Sequence, residues 1–531
     1  LNAFALVTFV VIIALVWLYA WRKSRNIDIS TAEGFFMGGH SLTGLSIAGT
    51  IIMTNLSTEQ LVGQNGQSYA AGMEVMAWEV TSAIAIVLLA LVFLPRYMKY
   101  GVNTISDFIE IRYDTFTKRL ISILFMFTYL TSFLPVVLYS GALVFNKLFN
   151  IDEILGVDPL IAVAICAAFI GAVGVLYLLM GGLSLSAFSD TIYGFGLLTG
   201  GILILILGIV TLGNGSAMDG VHFIRENTAE KLNAWGAIDS DYVPWPTLML
   251  GMLFNNLYFW CCNQMIVQKA LGGKNLKEGQ KGALYVAFFK VFGALFLVLP
   301  GIVAFNMFDG GIANQDDAYP SLVSAVLPEW AYGIFAAVIF GAILSSFVGS
   351  LNSTATLFSL DFYKPIFNKD ATDRQVARMG KIVTVIVGFI SIIIAPLIAF
   401  APTGLYNVIQ EFNGLYSLPL LVIILFGFWN KRVTAQGAKI TFSFHLVVYI
   451  AAQGLLAEIN YLYIFSVLFI LDCFVLWMST RINPLKEPFQ FQANLNKVDM
   501  TPWKHVKWVS AIALLLVVIM YTVFSPVVLA N

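Results

Sequence analysis

The chain has 531 residues, of which 59% are hydrophobic and only 11% charged, with a formal net charge of −1 and a mean hydropathy of +0.84. A soluble domain carries about 25% charged residues, so this composition excludes a water-covered globule, and the balanced charge gives no case for a nucleic-acid partner. Apolar runs of the ~20 residues needed to cross a bilayer recur along the whole length. They must be helices, because backbone groups in lipid have to be satisfied internally.

In chain order, the runs predict about fourteen spans, near 1–22, 44–69, 73–98, 118–148, 159–180, 184–213, 246–272, 281–309, 330–364, 375–400, 402–428, 435–456, 459–481 and 505–527. No cleavable signal peptide is evident, and a first residue other than Met points to a trimmed start. The odd-numbered connections carry twenty-five of the 29 Lys and Arg residues, Lys269 among them. The even-numbered ones hold only Lys147, Arg225 and Lys231, which leaves Lys290 inside a span. By the positive-inside rule the odd connections are cytoplasmic and both termini external. Cys166, Cys261, Cys262 and Cys473 all lie in apolar segments and read as buried thiols, with no disulfide or zinc spacing.

Charge at the bilayer centre is expensive and marks function. The informative cases are Glu59, Glu79, Asp190, Lys290 and Glu411, whereas Glu74, Asp361 and Asp472 lie near span ends, where they can snorkel or cap. The second span holds the polar cluster Asn55, Ser57, Thr58, Glu59 and Gln60 in its middle, followed by Gly63 and Gly66. A continuous helix would expose these groups all round, so an interrupted helix is expected. The seventh span, with Asn255, Asn256, Asn263 and Gln264, is its counterpart five spans later. Paired interrupted helices are the sequence pointer to a midplane site in an inverted-repeat transporter. That spacing places one repeat at about 44–213 and a second at about 246–428, separated by an external loop at 214–245. An extra N-terminal helix and loop (1–43) precede them and three flanking helices (429–531) follow.

In the ninth span, adjacent Ser345 and Ser346 can donate oxygen ligands, and Asp190 adds one carboxylate. Neutral oxygens with a single negative charge suit a hard monovalent cation such as Na⁺. Gln60, Glu79, Ser82, Asn256, Lys290 and Gln410 supply donors and acceptors of both signs, which suits a neutral polyhydroxylated ligand. Trp78, Tyr258, Phe259, Trp260 and Tyr406 offer rings that can stack on the apolar face of a sugar.

At these residues the sequence resembles the solute:sodium symporter family, in particular its sodium/galactose and sodium/glucose branch. The matching stretches are NLSTEQLVGQNGQSY, WEVTSA, SDTIYG, NNLYFWCCNQ, QKGALYVAFFK, SSFVGSLNSTATLFSLDFYK and YNVIQEFNGL. The resemblance implies an all-α polytopic membrane protein with the LeuT-type inverted five-helix repeat and flanking helices. It implies sugar binding by Gln60, Glu79, Ser82, Asn256, Lys290 and Gln410. It also implies a sodium site formed by backbone oxygens of Met53, Leu56 and Ala342 and the hydroxyls of Ser345 and Ser346, with Asp190 nearby. The external gate maps onto Gln64, Trp78 and Tyr406, with Gln64 standing where the galactose transporter has Met. The inner-gate Tyr falls on Phe259, so its hydroxyl is lost while Tyr258 and Trp260 remain.

The expected function is therefore secondary active symport in the cell membrane, with Na⁺ as coupling ion and a neutral sugar as solute. The rivals are the same carrier with an inositol, a nucleoside or an organic acid, a channel, and a membrane enzyme. Against an enzyme, His40, His222, His445 and His505 are scattered and form no metal or nucleophile pattern.

Overall fold

The computed structural model describes residues 3–56, 58–400, 412–456, 458–491 and 498–531. Tyr406 and Gln410, two of the expected site residues, lie outside them, as does Glu411. Among the described residues the chain is helical, with isolated bridges such as Leu42 to Gly273 in place of strands.

Among the described residues eleven helices are long and apolar enough to cross a membrane, against the fourteen expected, and the difference arises at three places. The run 159–213 is one helical stretch, Pro159–Leu212, bent at Gly182. Gly182 has φ 55° and ψ −153°, a conformation that is essentially restricted to glycine. The second and seventh spans are each divided into two helices too short to qualify. Gly44–Asn55 stops at Leu56, whose φ −94° and ψ 79° leave the helix, and Thr58–Ala71 resumes beyond. Gly251–Cys261 stops at Cys262, and Asn263 then caps Gln264–Leu271 by accepting from Met265 N at 3.0 Å. The two interruptions expected from the polar clusters are present, and Asn is a strong N-cap because its side-chain oxygen satisfies an orphan helix N–H.

Burial separates a centre from a periphery. The most apolar window of Glu329–Phe367 is 94% buried, against 22% for Phe4–Ser24 and 28% for Val506–Val523. The peripheral helices turn large side chains such as Val10, Leu15, Leu515 and Val518 outward, as a lipid-facing surface requires. In the centre, Gly44–Asn55 packs against Pro159–Leu212, Leu276–Leu297 and Tyr332–Leu357. The first half of the broken helix is thus held by three others.

Three acidic residues expected at span ends behave differently from one another. Glu74 holds an outer loop, accepting from the Ser240 hydroxyl and from Val243 N. Asp361 is 1% exposed and accepts from Ser106 at 2.6 Å and Ser122 at 2.5 Å, with Lys118 Nζ at 3.2 Å. Asp472 is fully buried, 2.7 Å from His445 Nδ1, while His445 Nε2 lies 2.9 Å from Gly414 O. Asp361 and Asp472 therefore correct the expectation of snorkelling: each is enclosed and paired, because an isolated buried carboxylate is too costly to retain.

The bend at Gly182 gives a direct test. A Cβ there would stand 2.6 Å from Phe35 O, and the backbone conformation costs a non-glycine residue about 1–3 kcal/mol. Gly182→Ala is expected to lower the thermal unfolding midpoint in detergent; an unchanged midpoint would contradict the strain.

Candidate solute and cation site

The polar groups of the first broken helix are aimed at the helix that follows it. Glu79, fully buried in the Met73–Lys99 span, is the hub. Its Oε1 accepts from Gln60 Nε2 at 3.2 Å and Gln64 Nε2 at 2.9 Å. Lys290 Nζ donates to Oε1 at 2.7 Å and lies 2.6 Å from Oε2. The same ammonium donates to Asn55 Oδ1 at 2.6 Å, at the break itself, and sits 5.3 Å from the Trp260 ring centroid. Gln60, Gln64, Asn55, Glu79 and Lys290 thus form one closed network across three segments, and Trp260 brings in the second broken helix.

Ser82 and Asn256, the other expected solute residues among those described, flank this hub without joining it. Ser82 donates to Glu79 O at 2.5 Å, and Asn256 Nδ2 donates to Thr81 Oγ1 at 2.8 Å. Gln64 was assigned to the outer gate by resemblance, and the structure puts its amide on the Glu79 carboxylate. Trp78 stacks on Tyr461, centroids 6.5 Å apart and planes 15° apart. On the other side, Tyr258 is buried, its hydroxyl 3.4 Å from Asn263 Nδ2. Asn263 Oδ1 accepts from Tyr129 at 2.8 Å. Phe259, half-buried, meets Trp260 edge-on at 5.3 Å. The Tyr258 hydroxyl is thus directed toward Asn263 and Tyr129, while the Phe259 ring packs on Trp260.

A second polar centre lies where the first broken helix ends. Terminal carbonyls of a helix lack intrahelical partners, and here Ser346 Oγ lies 3.2 Å from Met53 O and 2.8 Å from Thr54 O. Ser345 Oγ is 3.3 Å from Thr54 Oγ1. Ala342, buried, is one turn before Ser346 on the same helix, and Leu56 is the residue at which the first broken helix ends. Asp190 Oδ2 accepts from Thr50 at 2.7 Å and Ser186 at 3.1 Å. These are neutral oxygens with one carboxylate and the Lys269 ammonium close by.

Asn55, Thr50, Thr54, Thr81 and Lys269 escaped the expected site. Asn55 was visible as part of the mid-span polar cluster but had no assigned partner. Lys269 was counted with the cytoplasmic loop charges, and that assignment is corrected here: it is 1% exposed and donates to Thr50 O at 3.2 Å and to the Thr54 hydroxyl. Its position near the end of a predicted span concealed it, because Gln264–Leu271, beyond the break, is buried along its whole length.

Two broken helices around a buried polar hub are the arrangement of a secondary transporter. The chain belongs to the sodium:solute symporter family, whose sequence model matches residues 35–442. It is 41% identical to an uncharacterized symporter, YidK, of Escherichia coli (strain K12) over 96% of this chain and 88% of that protein. It is 30% identical to a sodium/glucose cotransporter of Vibrio parahaemolyticus over 81% of each. The fold matches that of a Na⁺-coupled sialic acid symporter in a substrate-bound outward-open state, with a TM-score of 0.78 and 19% identity over 92% of this chain and 99% of that one. Family and structural neighbours are transporters, not enzymes.

Breaking a buried ion pair by removing one partner costs about 3–5 kcal/mol, because the other charge is left uncompensated. Lys290→Met should lose stability of that order in equilibrium denaturation in detergent micelles, and Glu79→Gln added to it should recover most of the loss. A Lys290→Met protein as stable as the parent would mean that the pair is not the buried contact described.

Proposed function

We propose that this chain couples inward movement of Na⁺ to uptake of a neutral sugar of the galactose or glucose type by alternating access. The observation that carries the reading is the Glu79 hub, where one carboxylate gathers Lys290, Gln60 and Gln64 within 3.2 Å. Sugar hydroxyls both donate and accept, so they can take over these bonds one for one, an exchange that costs little net free energy. Trp260 and half-buried Phe259 offer apolar faces next to the hub. Gln410 would complete the solute set, and Gln64, Trp78, Tyr258, Phe259, Trp260 and Tyr406 would act as gates.

In this reading Na⁺ binds first, held by the Met53, Leu56 and Ala342 carbonyls with Ser345 and Ser346. Its charge fixes the end of Gly44–Asn55, from which Asn55 reaches the solute, with Gln60 following in Thr58–Ala71. Ion and solute then favour the same arrangement, a reciprocal coupling of about 1–3 kcal/mol. The sodium gradient and the membrane potential, about 2.3 kcal/mol per charge per 100 mV, drive the cycle. The proposed frame is fourteen crossings of the cell membrane with both termini external, and inverted repeats at about 44–213 and 246–428. The two crossings hidden in the broken helices and the one beyond Gly182 supply the difference from eleven.

A cyclic polyol is the second reading, since a human sodium/myo-inositol cotransporter is 28% identical over 81% of this chain and an inositol presents the same hydroxyl chemistry. An acid fits less well. Arg112 is buried but spends its guanidinium on the Gly427, Asn430 and Val433 carbonyls, away from the hub.

Uptake of labelled galactose, glucose and myo-inositol into proteoliposomes, with and without an inward sodium gradient, distinguishes these readings. Sodium-stimulated accumulation of galactose or glucose is expected. Uptake indifferent to sodium would remove the coupling, and accumulation of inositol alone would move the assignment to the polyol.

A further inference from the structure

The helices that follow the expected transport core carry a buried pair that sodium–solute coupling leaves unused. His445 is the middle residue of Ala435–Leu455, and Asp472 lies at the middle of Tyr461–Ile482. At 1.5 Å per residue each is about 15 Å from either end of its helix. Both side chains are fully buried. His445 Nδ1 is 2.7 Å from Asp472 Oδ2, and His445 Nε2 is 2.9 Å from the Gly414 carbonyl oxygen. Gly414 belongs to Phe412–Trp429, a span of the expected second repeat. One imidazole thus joins a core helix to two helices outside the core.

These two contacts fix the number of protons. A neutral imidazole has one N–H donor and one bare nitrogen, whereas a carbonyl oxygen and an ionised carboxylate only accept. With a neutral ring and an ionised Asp472, the bare nitrogen must face an acceptor, at 2.7 Å if it is Nδ1 or 2.9 Å if it is Nε2. One further proton removes the conflict. Either the ring is an imidazolium that donates to both oxygens, or Asp472 is a carboxylic acid that donates to Nδ1 while Nε2–H donates to Gly414. In both forms the pair is neutral.

Without that proton the pair carries a net negative charge at a depth where charge is expensive, and its surroundings do not offset it. Asp472 Oδ1 has no partner among the described residues. Cys473, next in sequence, and Tyr449, stacked on the imidazole at 5.8 Å, carry no positive charge in any form. Of the helices packed on the two, Ser417–Trp429 has no ionisable side chain, and Gly251–Cys261 has only Tyr258 and Cys261. Thr115–Thr128 bears Lys118 and Arg119. Lys118 is spent on Asp107, Glu110 and Asp361, Lys439 of the His445 helix is spent on Asp114, and Arg119 makes no ion pair among the described residues. We propose that His445 and Asp472 form a single proton-binding site in the middle of the membrane. The proton it holds lets the imidazole bond Asp472 and the Phe412–Trp429 helix at the same time. The site lies outside the sodium and solute centres and stands whichever solute is carried.

The test uses full-length protein labelled with ¹⁵N at histidine, in lipid nanodiscs. With His40, His222 and His505 replaced by Gln, His445 is the only histidine. Spectra are taken at about pH 7.5, roughly one unit above the ordinary imidazole value. Expected is either a ring with hydrogen on both nitrogens, or Nε2–H together with an infrared band of a protonated carboxyl that Asp472→Asn removes. A neutral ring without that band would overturn the proposal. The amide of Asp472→Asn can donate to Nδ1 while Nε2–H donates to Gly414, so this variant is expected to keep both contacts with a neutral ring. A doubly protonated ring in it would assign the proton to His445 alone and overturn the shared site. An unfolded chain gives up an imidazole proton above about pH 6.5, so holding it makes stability fall as pH rises. Between about pH 7 and 8 the unfolding constant in detergent should rise up to about tenfold more for the parent than for Asp472→Asn; equal pH dependence would contradict the site. Should Asp472→Asn fail to fold, the Nδ1 shift of the parent decides, since it separates a nitrogen that accepts a hydrogen bond from a bare one.

Discussion

Everything in the centre of the molecule depends on one constraint: charges and broken backbone inside a bilayer must be satisfied by the protein itself. Glu79 and Lys290 meet it at the hub by pairing with each other and with Gln60, Gln64 and Asn55. The open end of Gly44–Asn55 meets it through Ser346, which bonds the Met53 and Thr54 carbonyls. Neither solution is available to a regular helix packed among apolar neighbours. The break in the second span is therefore stabilised by the groups that it brings together.

The Glu79 hub and the Ser345–Ser346 cluster share that break. Asn55, whose side chain meets Lys290, directly follows Met53 and Thr54, whose carbonyls meet Ser346, at the end of Gly44–Asn55. Movement of either half of the broken helix changes both sets of bonds at once. A buried ion pair contributes little net stability compared with an apolar alternative, so the hub is better understood as a set of exchangeable bonds than as a structural clamp. Clamping is done elsewhere, by Asp361 with Lys118, Ser106 and Ser122, and by Asp472 with His445.

The helical frame was legible in the sequence because hydropathy reports burial in lipid directly. The two interrupted helices were legible because their polar residues cannot be accommodated on a regular helix. Glu79, Lys290 and Gln60 were found by the same argument, a charge or amide where none should be. Pairing was not legible. That the Gln64 amide meets the Glu79 carboxylate is not visible in spacing, and Lys269 was counted as a loop charge although it is buried against Thr50 and Thr54. In both cases the outcome depends on which way a side chain turns after a break, and one-dimensional spacing does not encode that. Asp361 and Asp472 were misjudged for a related reason: distance from a span end says how far a carboxylate is from water only when the helix itself lies at the surface.

Linkage between the two centres is the central claim, and it is tested most directly by equilibrium binding. Galactose affinity should be measured at zero and saturating sodium, and sodium affinity at zero and saturating galactose, on the same detergent-solubilised protein. Reciprocal coupling requires both affinities to tighten by the same factor, about 5–150-fold. A galactose affinity that is the same with and without sodium would contradict the shared break as the element that joins ion to solute.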